Sequence, residues 1–277
     1  MSKIIDGKRV SQTLKEELKE EVSKLKVKPK LVVISVGDNP ASKVYVRQKE
    51  KCATYVGFEY LHLHYDEISD DKLVKEIEKL NNDKSVSGMI VQLPLPKGMN
   101  EKRIVNTISP EKDVDGLSYI NAGRLLNNEE CLASCTPAGI MELLKAYNID
   151  PSGKNVVVIG RSILVGKPMV NLMVNANATV TLCHSKTVDI EKITRKADIL
   201  VVAIGKPNYV TKNMVKRGAI VIDVGINRVD DKLVGDVDYN DVYYKVKLIT
   251  PVPGGVGPMT VIMLMKNVYK AYLKTRK

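Results

Sequence analysis

Apolar residues in this chain form short unbroken runs that alternate with segments in which they recur every three or four positions. Between residues 154 and 186, an apolar run at 156–159 is followed by a glycine-containing turn, a helix-like pattern and a second run at 178–183. Short apolar runs are typical of strands that are buried in parallel sheets, and the wider spacing is typical of amphipathic helices. This stretch predicts the first βαβ unit of a dinucleotide-binding sheet.

The turn between this strand and its helix contains Gly160 and Gly166. Gly160 allows the chain to turn sharply, and Gly166 allows a phosphate to approach free N–H groups at the helix N-terminus. Pro168 suits the first helical turn, where no N–H donor is needed. The glycine spacing differs from G-x-G-x-x-G, so a turn that binds nothing is the alternative hypothesis.

The residues after the second strand bear on the choice of cofactor. NAD sites usually have an acidic residue there, which binds the ribose hydroxyls. This chain has His184, Ser185 and Lys186 instead, and Arg161 lies in the first turn. Arginine, serine and lysine would bind a ribose 2′-phosphate, so the sequence favours NADP.

The same alternation extends over most of the chain. The first half predicts a small α/β layer, and two further buried strands follow the βαβ unit in the second half. A polar loop is expected at 109–116, and the proline- and glycine-rich stretch at 250–258 is expected to be neither helix nor strand. The other predicted elements are helices at 11–26, 41–56, 70–80, from Thr136 onward and from Met259 onward, and strands at 31–36, 58–64, 89–93, 199–203 and 219–225.

Composition restricts the class of protein. The chain has 277 residues, of which 44% are hydrophobic and 27% charged, which is typical of a globular protein of one or two domains. The net charge of +11 is compatible with nucleic acid but also with phosphorylated or polycarboxylate ligands. Trp is absent and Phe occurs once, which argues against a base-stacking surface. No signal peptide or membrane-spanning run is expected.

The cysteines and histidines do not predict a metal centre. Cys131 and Cys135 lack a nearby histidine, so reduced thiols in a cytoplasmic protein are expected rather than a zinc site. His62 and His64 lie in an alternating segment, and we interpret them as neighbours on one face of a strand rather than as metal ligands.

Two groups of polar residues could carry chemistry. Tyr45 and Lys49 are four positions apart on a predicted helix, and Gln92 ends a strand of the same layer. A lysine between an aromatic ring and an amide can act as an acid or base, whereas an ordinary surface lysine is the alternative. Asp113 and Asp115 could bind a cation or the polar ring of a ligand, or could simply cap the loop.

Several segments together resemble one family, the bifunctional methylenetetrahydrofolate dehydrogenase/methenyltetrahydrofolate cyclohydrolases. The matching segments occur in the family's order, span nearly the whole chain and show no departure at a motif position. They are 36–42 (Val-Gly-Asp-Asn-Pro-Ala-Ser), Tyr45-x-x-x-Lys49, 91–96 (Val-Gln-Leu-Pro-Leu-Pro), 110–116 (Pro-Glu-Lys-Asp-Val-Asp-Gly), 135–137 (Cys-Thr-Pro), 160–168 (Gly-Arg-Ser-x-x-Val-Gly-x-Pro), 184–187 (His-Ser-Lys-Thr) and 251–260 (Pro-Val-Pro-Gly-Gly-Val-Gly-Pro-Met-Thr).

The resemblance implies two α/β domains with a cleft between them, the second being a Rossmann-like NADP-binding domain. The folate-binding catalytic domain is expected at 1–138, with the helix at 259–277 packed back on it, and the NADP domain at 139–258. A homodimer in the cytoplasm is implied, with a role in one-carbon metabolism and purine biosynthesis and without nucleic-acid or membrane partners. NADP would take hydride from 5,10-methylenetetrahydrofolate, and water would then convert the methenyl product into 10-formyltetrahydrofolate.

The resemblance also implies roles for individual residues. Lys49 would be the acid/base of the hydrolysis, with Gln92 hydrogen-bonded to it, Tyr45 stacked on the aminobenzoate ring and Asp115 holding the pterin. No metal is expected. The implied cofactor-binding residues are Gly160, Arg161, Ser162, Ser185 and Ile226, and the implied folate contacts include Pro253, Gly254 and Gly255.

Two rival functions remain open from the residues alone. One is another NAD(P) dehydrogenase with a similar turn, acting on a keto or hydroxy acid, which would not need Tyr45, Lys49 and Asp115 together. The other is a basic nucleic-acid-binding protein without catalytic activity, whose binding would depend on salt.

Overall fold

The computed structural model describes residues 3–275, which form two compact units, each built on a parallel sheet. The three-stranded unit comprises residues 13–135 and 261–275, and the five-stranded unit comprises residues 3–12 and 136–260. The predicted two-domain α/β fold with parallel sheets is confirmed. Three helices contain the positions at which the chain passes from one unit to the other: α1 (Gly7–Ser23), α6 (Cys135–Ala146) and α10 (Val256–Lys274).

The three-stranded unit has its most buried strand at the centre. Its strands are β1 (Lys30–Val36), β2 (Glu59–Tyr65) and β3 (Gly88–Val91), in the order β2–β1–β3. Its helices are α2 (Pro40–Val56), α3 (Asp70–Asn82), α4 (Glu101–Thr107) and α5 (Tyr119–Leu126). Strand β1 pairs with a parallel neighbour on each side, so its side chains are buried and its sequence is a continuous apolar run.

The five-stranded unit has a parallel sheet in the order β10–β7–β6–β4–β5. The carboxyl ends of these strands therefore lie along one edge, where ligands bind in open α/β sheets. Its elements are β4 (Asn155–Ile159), α7 (Gly166–Asn175), β5 (Thr179–Cys183), α8 (Ile190–Thr194), β6 (Ile199–Val202), β7 (Ile220–Asp223), the antiparallel pair β8 (Asn227–Val229) and β9 (Lys232–Val234), α9 (Tyr239–Tyr243) and β10 (Leu248–Ile249).

The last helix begins three residues earlier than the sequence predicts. Helix α10 starts at Val256, so Gly257 and Pro258 lie in its first turn rather than in the preceding loop. A proline is compatible with this position, because the first-turn N–H groups have no partner within the helix. None of the helices in residues 3–275 has the length and apolar composition needed to cross a membrane.

Candidate functional site

Helix α2 and the end of β3 bring Lys49 and Gln92 together in the three-stranded unit. The Lys49 Nζ donates a hydrogen bond to Gln92 Oε1 at 2.7 Å. The Gln92 Nε2 donates in turn to the backbone oxygen of Leu93 at 2.7 Å, which fixes the orientation of the amide. Tyr45 lies one turn before Lys49 on α2, and its side chain is 43% exposed, so its ring is accessible to a ligand.

Lys49 and Asp115 form a polar pair in a poorly hydrated environment. Burial lowers the pKa of Lys49, and the negative charge of Asp115 opposes this change. Burial raises the pKa of Asp115, which the charge of Lys49 opposes. Each group is thus shifted toward its neutral form, a state in which an amine can accept a proton.

Asp113 organises the loop that carries Asp115. Its Oδ1 accepts from the backbone N–H groups of Gly116 (3.1 Å) and Leu117 (3.2 Å). Its Oδ2 accepts from the N–H of Ser118 (2.8 Å) and from the Asn121 amide (3.0 Å). Of the three interpretations left open for Asp113, which were cation binding, binding of a ligand's polar ring and loop capping, these hydrogen bonds favour loop capping. Within residues 3–275, no group of three or more His, Cys, Asp or Glu side chains is placed to hold a metal ion.

Cys135 is a member of this site that the sequence reasoning did not include among the site residues. Its thiol is buried, donates to the backbone oxygen of Val114 at 3.3 Å and also lies against the Asp115 carboxyl. Burial raises the pKa of Cys135 well above its ordinary value, with the Asp115 charge adding to the effect. The signal available in the sequence was the Cys-Thr-Pro segment at the start of α6.

In the five-stranded unit, Gly160 and Gly166 permit close backbone packing. Gly160 has a φ of +123°, and a Cβ there would lie 2.2 Å from the oxygen of Ala203. A Cβ on Gly166 would lie 2.0 Å from the oxygen of Gly160. Both positions therefore need glycine to join β4, β6 and the start of α7, whatever ligand binds nearby.

The N-terminus of α7 differs from the expectation of free N–H groups. The Ser162 hydroxyl accepts from the N–H groups of Val165 (3.1 Å) and Gly166 (3.4 Å). The backbone oxygen of Ser162 accepts from the N–H of Lys167 at 3.0 Å. The N–H groups of residues 165–167 are thus bonded within the turn, and Pro168 has no N–H. Binding of an anion at this helix N-terminus would therefore depend more on side-chain cations than on free backbone donors.

Arg161 and Ser185 lie at the same edge of the sheet. Strands β4 and β5 pair with Ile159 opposite Cys183, and both Arg161 and Ser185 are exposed. The loop after β5 is shaped by the Thr187 hydroxyl, which accepts from the His184 N–H at 2.8 Å. These exposed donors, without an acidic residue in 184–188, fit a ribose 2′-phosphate.

Two buried carboxylates, Asp223 and Asp236, organise the neighbouring loops, and the sequence reasoning missed both. Asp236 accepts from the N–H groups of Ile204 (2.7 Å), Gly205 (3.0 Å) and Lys206 (2.8 Å) and from the Asn227 amide (2.9 Å). Asp223 accepts from the N–H groups of Gly225, Asp236 and Val237. This network holds the chain on both sides of Ile226, whose side chain is 49% exposed beside Gly257.

The segment with Pro253, Gly254 and Gly255 contacts the start of α1. The Gly254 oxygen accepts from the N–H of Lys8 at 2.9 Å, and a Cβ on Gly7 would lie 1.8 Å from the oxygen of Gly255. The absence of a side chain at Gly7 therefore permits this close approach of the two backbones, and Pro253 remains exposed.

The His62 and His64 side chains lie on one face of β2, as predicted. The Ser35 hydroxyl is hydrogen-bonded to His62 Nε2 at 2.8 Å and to His64 Nδ1 at 3.0 Å. The four cysteines, all within the described range, are free.

Two family models match this chain. Residues 5–115 match the tetrahydrofolate dehydrogenase/cyclohydrolase catalytic domain, and residues 134–276 match the NAD(P)-binding domain of the same family. The bifunctional protein FolD of Streptococcus thermophilus is 52% identical over 283 aligned positions, with full coverage of both chains. The protein of the same name from Campylobacter hominis is 54% identical and covers 97% of this chain and 96% of its own.

Solved structures agree with these matches. The bifunctional dehydrogenase/cyclohydrolase of Campylobacter jejuni superposes with a TM-score of 0.96 at 48% identity, covering 98% of each chain. The N5,N10-methylenetetrahydrofolate dehydrogenase-cyclohydrolase of Trypanosoma brucei, a complex with NADP cofactor and inhibitor, has a TM-score of 0.94 at 37% identity and covers 99% of this chain and 98% of its own.

Proposed function

Because the chain belongs to the tetrahydrofolate dehydrogenase/cyclohydrolase family, we propose that it catalyses two consecutive reactions on one folate. The first oxidises 5,10-methylenetetrahydrofolate to the 5,10-methenyl cation, with NADP accepting the hydride. The second hydrolyses the methenyl cation to 10-formyltetrahydrofolate. These steps place the protein in one-carbon metabolism.

The observation that best supports this function is the environment of Lys49. Attack of water on the methenyl carbon requires that the water lose a proton and that a ring nitrogen gain one. A lysine whose pKa is lowered by burial can serve as the base and then, once protonated, as the acid. The Gln92 amide oxygen, 2.7 Å from Nζ, keeps the amine pointed in one direction during both transfers.

The other residues of the three-stranded unit would bind and orient the folate. Tyr45 presents an accessible ring one helical turn from Lys49, which suits stacking on the aminobenzoate group. Asp115 would accept hydrogen bonds from the pterin. Contacts of Pro253, Gly254 and Gly255 with the folate remain a prediction.

The carboxyl edge of the five-stranded sheet would bind NADP. Arg161 and Ser185 would bind the 2′-phosphate, because both are exposed at the ends of paired strands. Ser162 and Gly160 would shape the turn under the pyrophosphate. Ile226 would contact the nicotinamide end, where its half-exposed side chain can exclude water from one face of the ring.

A coupled assay tests the function directly. With methylenetetrahydrofolate and NADP as substrates, we expect absorbance of NADPH to rise while methenyltetrahydrofolate passes through a low steady level on its way to the 10-formyl product. No NADPH formation would reject the dehydrogenase. NADPH formed together with an equal amount of stable methenyl product would reject the cyclohydrolase.

We further propose that the protein acts in the cytoplasm as a homodimer, without nucleic-acid or membrane partners, and that its product supports purine biosynthesis. Four free cysteines are compatible with a reducing compartment. Sedimentation equilibrium would test the dimer, and a monomer at micromolar concentration would reject it.

A further inference from the structure

The C-terminal helix carries a buried asparagine that the function described above does not use. Asn267 lies on α10, and its side chain is 7% exposed. Its Nδ2 donates to the backbone oxygens of Val114 and Ala133, each at 2.9 Å. The same nitrogen lies 3.7 Å from the Cys135 sulfur.

These acceptors belong to two segments that carry site residues. Val114 directly precedes Asp115, and Ala133 lies two residues before Cys135. The segments meet backbone to backbone, because a Cβ on Gly116 would lie 2.4 Å from the oxygen of Leu132. The Val114 oxygen accepts from both the Asn267 amide and the Cys135 thiol, so it is held on two sides.

Other contacts also hold this loop. Two of them link the same two segments: the Cys135 thiol donates to the Val114 oxygen, and the Asn121 side chain is hydrogen-bonded to both Asp113 and Leu132. Lys112 donates to the carbonyls of Leu80 and Asn81 at the end of α3 and to that of Asp83 just after it, and Asp113 closes the turn after Asp115. These bonds secure the loop on its α3 side. Asn267 fixes the peptide next to Asp115 against the peptide chain that leads to Cys135.

We propose that Asn267 is a positioning residue for folate binding, which acts by holding the Val114–Asp115 peptide in register with the segment that leads to Cys135. The proposal rests on the proposed role of Asp115 in holding the pterin. Loss of the Asn267 amide would leave the Ala133 carbonyl without this donor and the Val114 carbonyl with the Cys135 thiol alone, and the loop would move to recover hydrogen bonds from water. Asp115 would then be displaced from its position beside Lys49.

Asn267→Leu removes the donor while keeping a side chain of similar size. We expect KM for methylenetetrahydrofolate to rise about tenfold, the effect of roughly one lost hydrogen bond. KM for NADP should stay within about twofold, because the hydrogen-bond partners of the Asn267 side chain, Val114, Ala133 and Cys135, belong to the three-stranded unit. Lys270→Met is the matched control: one turn later on α10, Lys270 donates to the oxygen of Cys131 at 3.0 Å, and its removal should leave both KM values unchanged.

A double-mutant cycle distinguishes positioning from general loosening. If Asn267 acts through Asp115, Asn267→Leu should change KM for folate by less than about twofold in an Asp115→Asn background. If thermal unfolding shows that Asn267→Leu is not folded, Asn267→Ser can be used in the same experiments. A serine hydroxyl has one hydrogen and cannot donate to both carbonyls.

Two results would overturn the proposal: an unchanged folate KM in a folded Asn267 variant, or the same fold-increase with and without Asp115. If the wild type is active and the Asp115→Asn variant has the same KM for methylenetetrahydrofolate, the role of Asp115 is rejected, and this proposal with it. A wild type without activity toward methylenetetrahydrofolate would instead reject the function itself.

Discussion

At the scale of single residues, Lys49 shows how burial and charge oppose each other. Burial favours the neutral amine, and Asp115 favours the ammonium. Burial is the larger effect, so the pKa of Lys49 is lowered while the nearby carboxylate keeps protonation accessible. A group that must both take and give a proton benefits from this balance, since catalysis is most effective when its pKa lies near the working pH.

Arg161 provides a prediction about cofactor choice at the same scale. Arg161→Ala should weaken the binding of NADP by about 1.5–3 kcal/mol, because a charged hydrogen bond to the 2′-phosphate is lost. The binding of NAD, which has no 2′-phosphate, should change far less. The measurement is KM for both cofactors in the dehydrogenase assay. Arg217→Ala is the control, since Arg217 is an exposed arginine before β7, at the opposite edge of the sheet. Equal weakening of NADP and NAD would contradict the assignment of Arg161.

At the scale of elements, the contact between β4 and α7 has no space for a side chain at its closest point. Gly166→Ala should lower the free energy of unfolding by about 1–3 kcal/mol, because the added Cβ overlaps the Gly160 oxygen. Urea unfolding measures the change. Gly123→Ala in α5 is the control: nothing lies within 4 Å of its added Cβ, so it should be neutral or slightly stabilising. A Gly166→Ala variant as stable as wild type would show that α7 can move away from the turn.

The elements also show how far the sequence could predict the structure. Strong periodicity predicts α3 and β4 well: the helix expected at 70–80 is Asp70–Asn82, and the strand expected at 156–159 is Asn155–Ile159. The β8–β9 pair was not predicted, because its turn places Asp230 and Asp231 at positive φ instead of glycine.

The candidate site was predictable only in part. The spacing of Tyr45 and Lys49 on one helix and the position of Gln92 at a strand end follow from local sequence. The hydrogen bonds of Asp236 and Asn267 involve backbone groups that are distant in sequence, and no local pattern reveals such partners.

At the scale of the whole molecule, Asp223 links stability to pH. Burial raises its pKa from an ordinary 3.8 to about 6, so the folded protein favours the protonated form. The unfolded chain titrates near the ordinary value, so this stabilisation is complete below about pH 4 and is lost as pH rises through about 6. A shift of about two units corresponds to about 3 kcal/mol.

Asp223→Asn should remove the pH dependence of stability that Asp223 causes. The difference in unfolding free energy between wild type and variant should therefore shrink as pH rises from about 4 to 6, as measured by urea titrations across that range. Asp231→Asn is the control, because the Asp231 side chain is exposed in the β8–β9 turn. Its substitution should leave the pH dependence of the unfolding free energy as it is in wild type. A constant difference between wild type and Asp223→Asn would show that Asp223 titrates normally.

The measurement that tests the central claim most directly is the coupled assay of Lys49→Met. This variant keeps the apolar stem but removes the amine, so it should lose cyclohydrolase activity by about a hundred- to ten-thousand-fold. Its dehydrogenase activity should fall less, because hydride transfer moves no proton through Lys49. Lys51→Met, an exposed lysine on the same helix, should behave as wild type.

We therefore expect Lys49→Met to accumulate methenyltetrahydrofolate nearly in step with NADPH. Cyclohydrolase activity near that of wild type, or a loss confined to the dehydrogenase step, would contradict the account.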